Sequence, residues 1–120
     1  MTAKTFGEYL RELRENRGLS QGELGEKVKR KAMTISLIES GKNNPPNNEL
    51  LNDLICVLKL RETEADMLRN LSAVERNEFP NDISDYIQNH MDVFNAIRRG
   101  MKQNKKSTDW KNVFKGANKL

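Results

Sequence analysis

Apolar residues recur along this chain at three- and four-residue spacing, the period of amphipathic helices, and strand-like alternation is almost absent. Phe6, Leu10 and Leu13 form a first stripe behind Thr5, which with Glu8 makes a capping box. Gly18 stands where a helix C-terminus takes a left-handed residue. Ser20 and Glu23 repeat the start signal at once, with Leu19 and Leu24 spaced as a hydrophobic staple, and this second helix is predicted to end near Val28. After a basic turn, Thr34, Ile35, Ile38 and Glu39 lead to Gly41. Ile35 and Ile38 share an inward face, so the positions between them face out. The run GKNNPPNN cannot be helical, because two adjacent prolines remove donors and restrict their neighbours. Asn47 is placed to cap a fourth helix carrying Leu50, Leu51, Leu54, Ile55 and Leu58, and Thr63 to cap a fifth through Ala65, Leu68 and Leu71.

These five short helices make one small bundle over residues 1–74. The polar stretch SAVERNEF before Pro80 suggests a linker at 75–80, and residues 81–120 form a separate helical segment. There Ile83, Tyr86 and Ile87 mark one helix, and Phe94, Ile97 and Met101 a longer one. After a polar break at Lys102–Lys106, Ser107 or Thr108 is placed to cap a last helix with Trp110, Val113 and Phe114. So short a segment with few large apolar groups is marginal alone, so it should pack on the first domain or on a partner.

Hydrophobic residues are 36% of the chain and aromatics 6%, so the core must be modest and mainly aliphatic. The net charge of +4 matters less than its distribution: the middle is acidic, both flanks are basic, and the sharpest cluster is Lys27, Lys29, Arg30 and Lys31. Such a run is ordinarily a solvated surface, and becomes a phosphate contact only if the architecture aims it at a groove. Cys56 is the single cysteine, which excludes an internal disulfide, and its apolar helical setting predicts a small buried hydrophobe. No apolar run approaches a membrane span, and MTAKTFGEYL has no signal-peptide character, so a cytoplasmic protein without membrane contact is expected.

Two short helices joined by a tight turn inside a helical bundle describe a DNA-binding unit. The runs LRELRENRGLSQGELGEKV, TISLIESGKNNPP and LLNDLICVLKL together resemble the Cro/lambda-repressor type, or XRE, family over about residues 6–71. The resemblance implies a five-helix lambda-repressor-like DNA-binding domain, and the periodicity of the whole chain predicts an all-α fold in which a small helical C-terminal dimerisation segment follows it. It further implies that the helix at about 32–40 enters the major groove of double-stranded DNA, while the helix behind Ser20 lies across the backbone. Gln21, at the first turn of that helix, is placed to meet a phosphate, because free amides and the helix dipole favour an anion there. Phosphate contacts are expected from Ser20, Gln21, Lys29, Arg30 and Lys31, and from Lys42, Asn43 and Asn44, which resemble a second phosphate clamp. Base reading falls to Ala32, Met33, Thr34, Ser36 and Leu37. Family readers are often polar here, whereas Ala32, Met33 and Leu37 can recognise a thymine methyl, or else fill core space. Lys29 and Arg30 stand where the family commonly has glycine and a buried aliphatic, and Arg14 and Glu39 occupy positions that pair in several members.

Catalysis is not expected. His90 is the single histidine, no HExxH or cysteine spacing offers a metal site, and pairs such as Asp82 with Asp85 or Glu12 with Glu15 are ordinary exposed helix faces. No cofactor is implied. The stretch FPNDISDYIQ and then STDWKNVF resembles the C-terminal region of repressors encoded beside a metallopeptidase, and a generic dimerisation module is the other reading. Tyr86, Phe94, Ile97, Trp110 and Phe114 are the dimerisation candidates. The expected function is a sequence-specific transcriptional regulator, a repressor binding a palindromic operator as a homodimer. The alternative is an antitoxin-like protein that neutralises a co-encoded toxin or other partner and autoregulates its operon.

Overall fold

The computed structural model describes the backbone of residues 4–117 and the side chains of residues 4–113, and within these the regular structure is entirely helical. The helices are α1 (Phe6–Asn16), α2 (Gln21–Lys27), α3 (Ala32–Glu39), α4 (Glu49–Val57), α5 (Glu62–Arg76), α6 (Asn81–Gln88), α7 (Asp92–Lys102) and α8 (Ser107–Ala117). None of the described helices is long and apolar enough to cross a membrane. The chain divides into two compact units, Met1–Ile83 and Ser84–Leu120. Residues 75–80, expected as a linker, therefore belong to the first unit. The reason lies in their hydrogen bonds: α5 runs on to Arg76, whose Nη1 donates to the Pro45 carbonyl at 3.1 Å, and Glu78 accepts from Asn47 Nδ2 at 2.6 Å.

The first unit is built on the predicted apolar stripes. Phe6, Leu10 and Leu13 of α1, Leu24 of α2 and Val28 just after it, Ile35 and Ile38 of α3, Leu50, Leu51 and Leu54 of α4 and Leu58 just after it, and Leu68 of α5 make one buried cluster, with Leu19 and Ile55 packed at its edge. Both predicted capping boxes form, Thr5 with Glu8 and Ser20 with Glu23, and Gly18 takes φ +69° behind α1. The diproline loop is held from α5, where Ser72 Oγ donates to the Pro46 carbonyl at 2.6 Å and Arg76 Nη1 to the Pro45 carbonyl at 3.1 Å.

Three local expectations shift. The cap of α4 is Asn48, whose side chain accepts from the Leu50 N–H, while Asn47 is spent on Glu78. Helix α5 begins at Glu62 after Arg61, not behind Thr63, because Glu64 accepts the Arg61 N–H at 3.0 Å and so draws the start back. Cys56 is exposed rather than buried, since the adjoining Leu54, Ile55 and Leu58 already supply the inward face of α4.

In the second unit, α7 and α8 are joined by a turn in which Asn104 takes φ +56° and the Lys105 N–H donates to the Gly100 carbonyl at 2.9 Å. Ser107 is the first helical residue of α8, and Asp109 accepts the Lys106 N–H at 2.9 Å. Gly100 is buried under the indole of Trp110: a Cβ there would lie 2.4 Å from the ring.

Candidate nucleic-acid interface

The interface is assembled around α2, the following turn and α3. Ser20 accepts the Glu23 N–H at 3.0 Å and Glu23 accepts the Ser20 N–H at 2.8 Å, and these bonds hold the Glu23 carboxyl below its ordinary range. Behind α2 the chain reverses tightly. Lys29 adopts φ +59°, the left-handed conformation that costs a side-chain-bearing residue energy. Lysine at this position therefore takes the left-handed backbone that glycine adopts most easily. The Arg30 N–H donates to the Gly25 carbonyl at 2.8 Å, so the turn presses onto α2 at Gly25, where a Cβ would stand only 2.6 Å from the Arg30 carbonyl oxygen. Arg30 itself is exposed, its guanidinium returning to the Lys29 carbonyl at 3.2 Å.

Helix α3 presents two faces. Ile35 and Ile38 are buried in the core. On the opposite side Ala32 is exposed and Met33 is 70% exposed, which rules out the core-filling role for Met33. Thr34, Ser36 and Leu37 are half-buried along the flanks. Beyond α3, Lys42, Asn43 and Asn44 are exposed, and the Lys42 and Asn43 N–H groups both donate to the Leu37 carbonyl, at 3.0 and 3.1 Å, which fixes this loop at the helix end.

The cations around α3 make no close ion pair among the described residues. Among the described residues, ion pairs engage Lys4, Arg11, Arg14, Arg17, Arg61 and Arg76. Lys27, Lys29, Arg30, Lys31 and Lys42 are in none of them. Positive charge without an internal partner is what a polyanion requires of its binding surface.

Arg14 and Glu39 meet. Arg14 Nε donates to Glu39 Oε2 at 2.7 Å and Nη2 to Oε1 at 3.0 Å, a two-point bond between side chains 9% and 4% exposed. These bonds raise the Arg14 pKa further above its usual range. The third guanidinium nitrogen donates to the Leu19 carbonyl at 2.7 Å, so one arginine ties α1, the start of α2 and the end of α3 together. Gln21 joins the same group: its Nε2 donates to Glu39 Oε1 at 3.0 Å. The amide expected to be free for phosphate is thus half engaged, with a second N–H left to offer.

Sequence reasoning missed two features. Arg17 donates to Glu64 at 2.8 Å and to the Leu58 carbonyl at 2.8 Å, and no local spacing signals a pair so far apart in the chain. Glu64 is held down at about 2, first by Arg17 and then by the backbone and side chain of Arg61. The second is a recess of about 330 Å³ beside the basic turn, where Lys27, Lys29 and Arg30 share a wall with Asp53 and Cys56 of α4.

The dimerisation candidates lie in the second unit. Tyr86 is exposed and stacks on His90 with ring centroids 4.3 Å apart. Phe94 and Ile97 are half-buried on α7, and Trp110 remains 39% exposed although it covers Gly100. The side chain of Phe114 lies outside the described residues.

Neither the curated proteins nor the solved structures contain a match to this chain. A family model described as a helix-turn-helix domain matches residues 5–68, more than half of the chain and the whole of the arrangement from α1 to the middle of α5. The chain belongs to the helix-turn-helix domain family and is a DNA-binding regulator.

Proposed function

We propose that this protein is a transcriptional repressor of the Cro/lambda-repressor type that binds a palindromic operator as a homodimer in the cytoplasm, with α3 in the major groove. The observation that carries this reading is the exposed start of α3, Ala32 and Met33, flanked by unpaired cations on the turn before it and at Lys42 after it. A groove contact needs an uncovered helix face for base edges and cations on either side for phosphates. Ser20, Gln21, Lys29, Arg30, Lys31, Lys42, Asn43 and Asn44 hold the backbone. Ala32, Met33, Thr34, Ser36 and Leu37 face bases, with Met33 reading a thymine methyl.

A single short helix reads few base pairs, and two copies address half-sites about 10 base pairs apart. Exposed apolar side chains, Val74 and Phe79 in the first unit and Tyr86 in the second, are surfaces suited to pairing of two copies. The same exposure favours, as a second reading, a co-encoded protein partner such as a toxin or a metallopeptidase.

Selection of bound duplexes from random DNA tests the main reading. The expected product is an inverted repeat with half-site centres about 10 base pairs apart. Met33→Ala should cost on the order of 1 kcal/mol at sites bearing the contacted thymine, and uracil at that step should mimic the loss. An enriched site without two-fold symmetry would refute the homodimer, and indifference to uracil throughout would refute methyl reading.

A further inference from the structure

We propose that the second unit carries its own DNA-backbone contact, a cationic surface formed by Arg98, Arg99, Lys102, Lys105 and Lys106, in addition to the surface around α3. It rests on the DNA binding of the helix-turn-helix domain. It differs from the expectation that the C-terminal segment serves only to pair two copies.

These five cations fall within nine residues, and no carboxylate occurs between Asp92 and Asp109. All five are exposed, and none appears in an ion pair among the described residues. Arg98 makes a single side-chain bond, Nη1 to Asn95 Oδ1 at 3.1 Å, which leaves its charge unneutralised. The only other places on the described chain where unpaired cations crowd together are the turn before α3 and its immediate surroundings. Elsewhere in the first unit Arg11, Arg14, Arg17, Arg61 and Arg76 are coupled to acids, and Arg69, which donates to Asn52 Oδ1 at 3.0 Å, stands apart from other cations. The clustering therefore follows function in the one region where the family predicts phosphates, and it recurs here.

The helix period supports one shared face. At 3.6 residues per turn, Arg98, Arg99 and Lys102 lie within an arc of roughly 100°, with Asn95 between them. Val93, Ile97 and Gly100 take the opposite side, and these three are half-buried or buried. The turn after α7 then brings Lys105 back to the helix end through its N–H bond to the Gly100 carbonyl.

The bland account is that cations near a helix C-terminus complement its dipole. That accounts for one or two charges. It does not explain Lys105 and Lys106 beyond the helix, nor the like-charged pair Arg98 and Lys102 at i,i+4, which repel each other with no acid to offset them. Phosphate oxygens relieve that repulsion, and duplex DNA presents a row of them.

The test compares the full chain with the combined variant Arg98→Gln, Arg99→Gln, Lys102→Gln, Lys105→Gln, Lys106→Gln on a random-sequence duplex of 30 base pairs or so, titrated across salt. Removing one phosphate-bound cation flattens the slope of log affinity against log salt by about 0.9. We expect the slope to fall by about 2 or more, with affinity at low salt dropping at least tenfold on random and operator DNA alike. The charge-preserving variant, with arginine and lysine interchanged at all five positions, should keep the original slope. That outcome separates lost charge from lost folding. An unchanged slope in the glutamine variant overturns the proposal while leaving the α3 interface intact, and so does a loss confined to operator DNA. Binding of the unaltered chain to anionic phospholipid vesicles, with the slope on DNA unchanged by the glutamine substitutions, would assign the surface to a membrane instead. If the unaltered chain bound no DNA at all, the parent reading would fail together with this one.

Discussion

Replacing Glu39 by alanine should be among the most damaging single substitutions in the first unit, and the structure sets the size of the effect. Glu39 accepts three hydrogen bonds, at 2.7 and 3.0 Å from Arg14 and 3.0 Å from Gln21, with only 4% of its side chain exposed. Without it, the Arg14 guanidinium keeps the Leu19 carbonyl as its one described partner, in a site where it is itself 9% exposed. Stranding one member of a buried pair costs about 3–5 kcal/mol. A unit of residues 1–83, at ~0.05–0.15 kcal/mol per residue, has a total stability of only about 4–12 kcal/mol. The substitution should therefore remove a large fraction of it. Urea unfolding followed by far-ultraviolet circular dichroism should show the midpoint falling by more than ~1 M, given slopes of about 1–3 kcal/mol per molar. Combining Glu39→Leu with Arg14→Met should be far less harmful than the two single losses added together, since neither charge is then left unpaired. A loss below ~1 kcal/mol in Glu39→Ala, or strict additivity in the double variant, would refute the claim that this pair fastens α3 to α1. DNA affinity should fall along with stability, because the pair sits at the end of α3, the helix proposed to enter the groove.

Gly25→Ala should destabilise by about 1–3 kcal/mol, measured by thermal unfolding, because its Cβ would press on the Arg30 carbonyl oxygen at 2.6 Å and force the turn away from α2. Lys29→Gly should do the opposite, raising stability by about 0.5–1 kcal/mol as the left-handed strain is relieved. At the same time it should flatten the salt slope of DNA binding by about 0.9 if Lys29 holds a phosphate. Glu64 gives a pH signature. Its pKa is lowered from 4.5 to about 2, so between these values the unfolded chain binds more protons than the folded one. The stabilisation is complete above about pH 4.5 and is lost as pH falls toward 2. With the side chain 11% exposed, this amounts to at most about 3 kcal/mol, and Glu64→Gln should flatten that acid limb in unfolding measured from pH 6 to 2.

The local grammar of the fold is legible in residue order. A capping box needs only residues three apart, so Thr5 with Glu8 and Ser20 with Glu23 could be read directly, and Gly18 with them. The stripe of Phe6, Leu10 and Leu13 and the inward pair Ile35 and Ile38 follow from helical period alone, whereas the choice between core and surface for Met33 was made only by the packed structure, where it is exposed. The order of these elements was enough to point to a helix-turn-helix domain. Whatever depends on a distant neighbour was settled only by packing. Asn47 and Asn48 are chemically identical as caps, and Asn48 caps α4 only because Glu78 claims Asn47. Cys56 looks like core within its own apolar helix, yet its neighbours already fill the side that faces the bundle. Gln21 gives one amide proton to Glu39, eighteen residues away, and Arg17 reaches Glu64, forty-seven residues away. Residues 75–80 read as a linker because they are polar, whereas the bonds of Glu78 to Asn47 and of Arg76 to the Pro45 carbonyl hold them in the first unit. A hydrogen bond closed within one helical turn leaves its mark as a spacing. One closed across the fold leaves none, because its partner is chosen only when the packed helices bring it within about three ångströms.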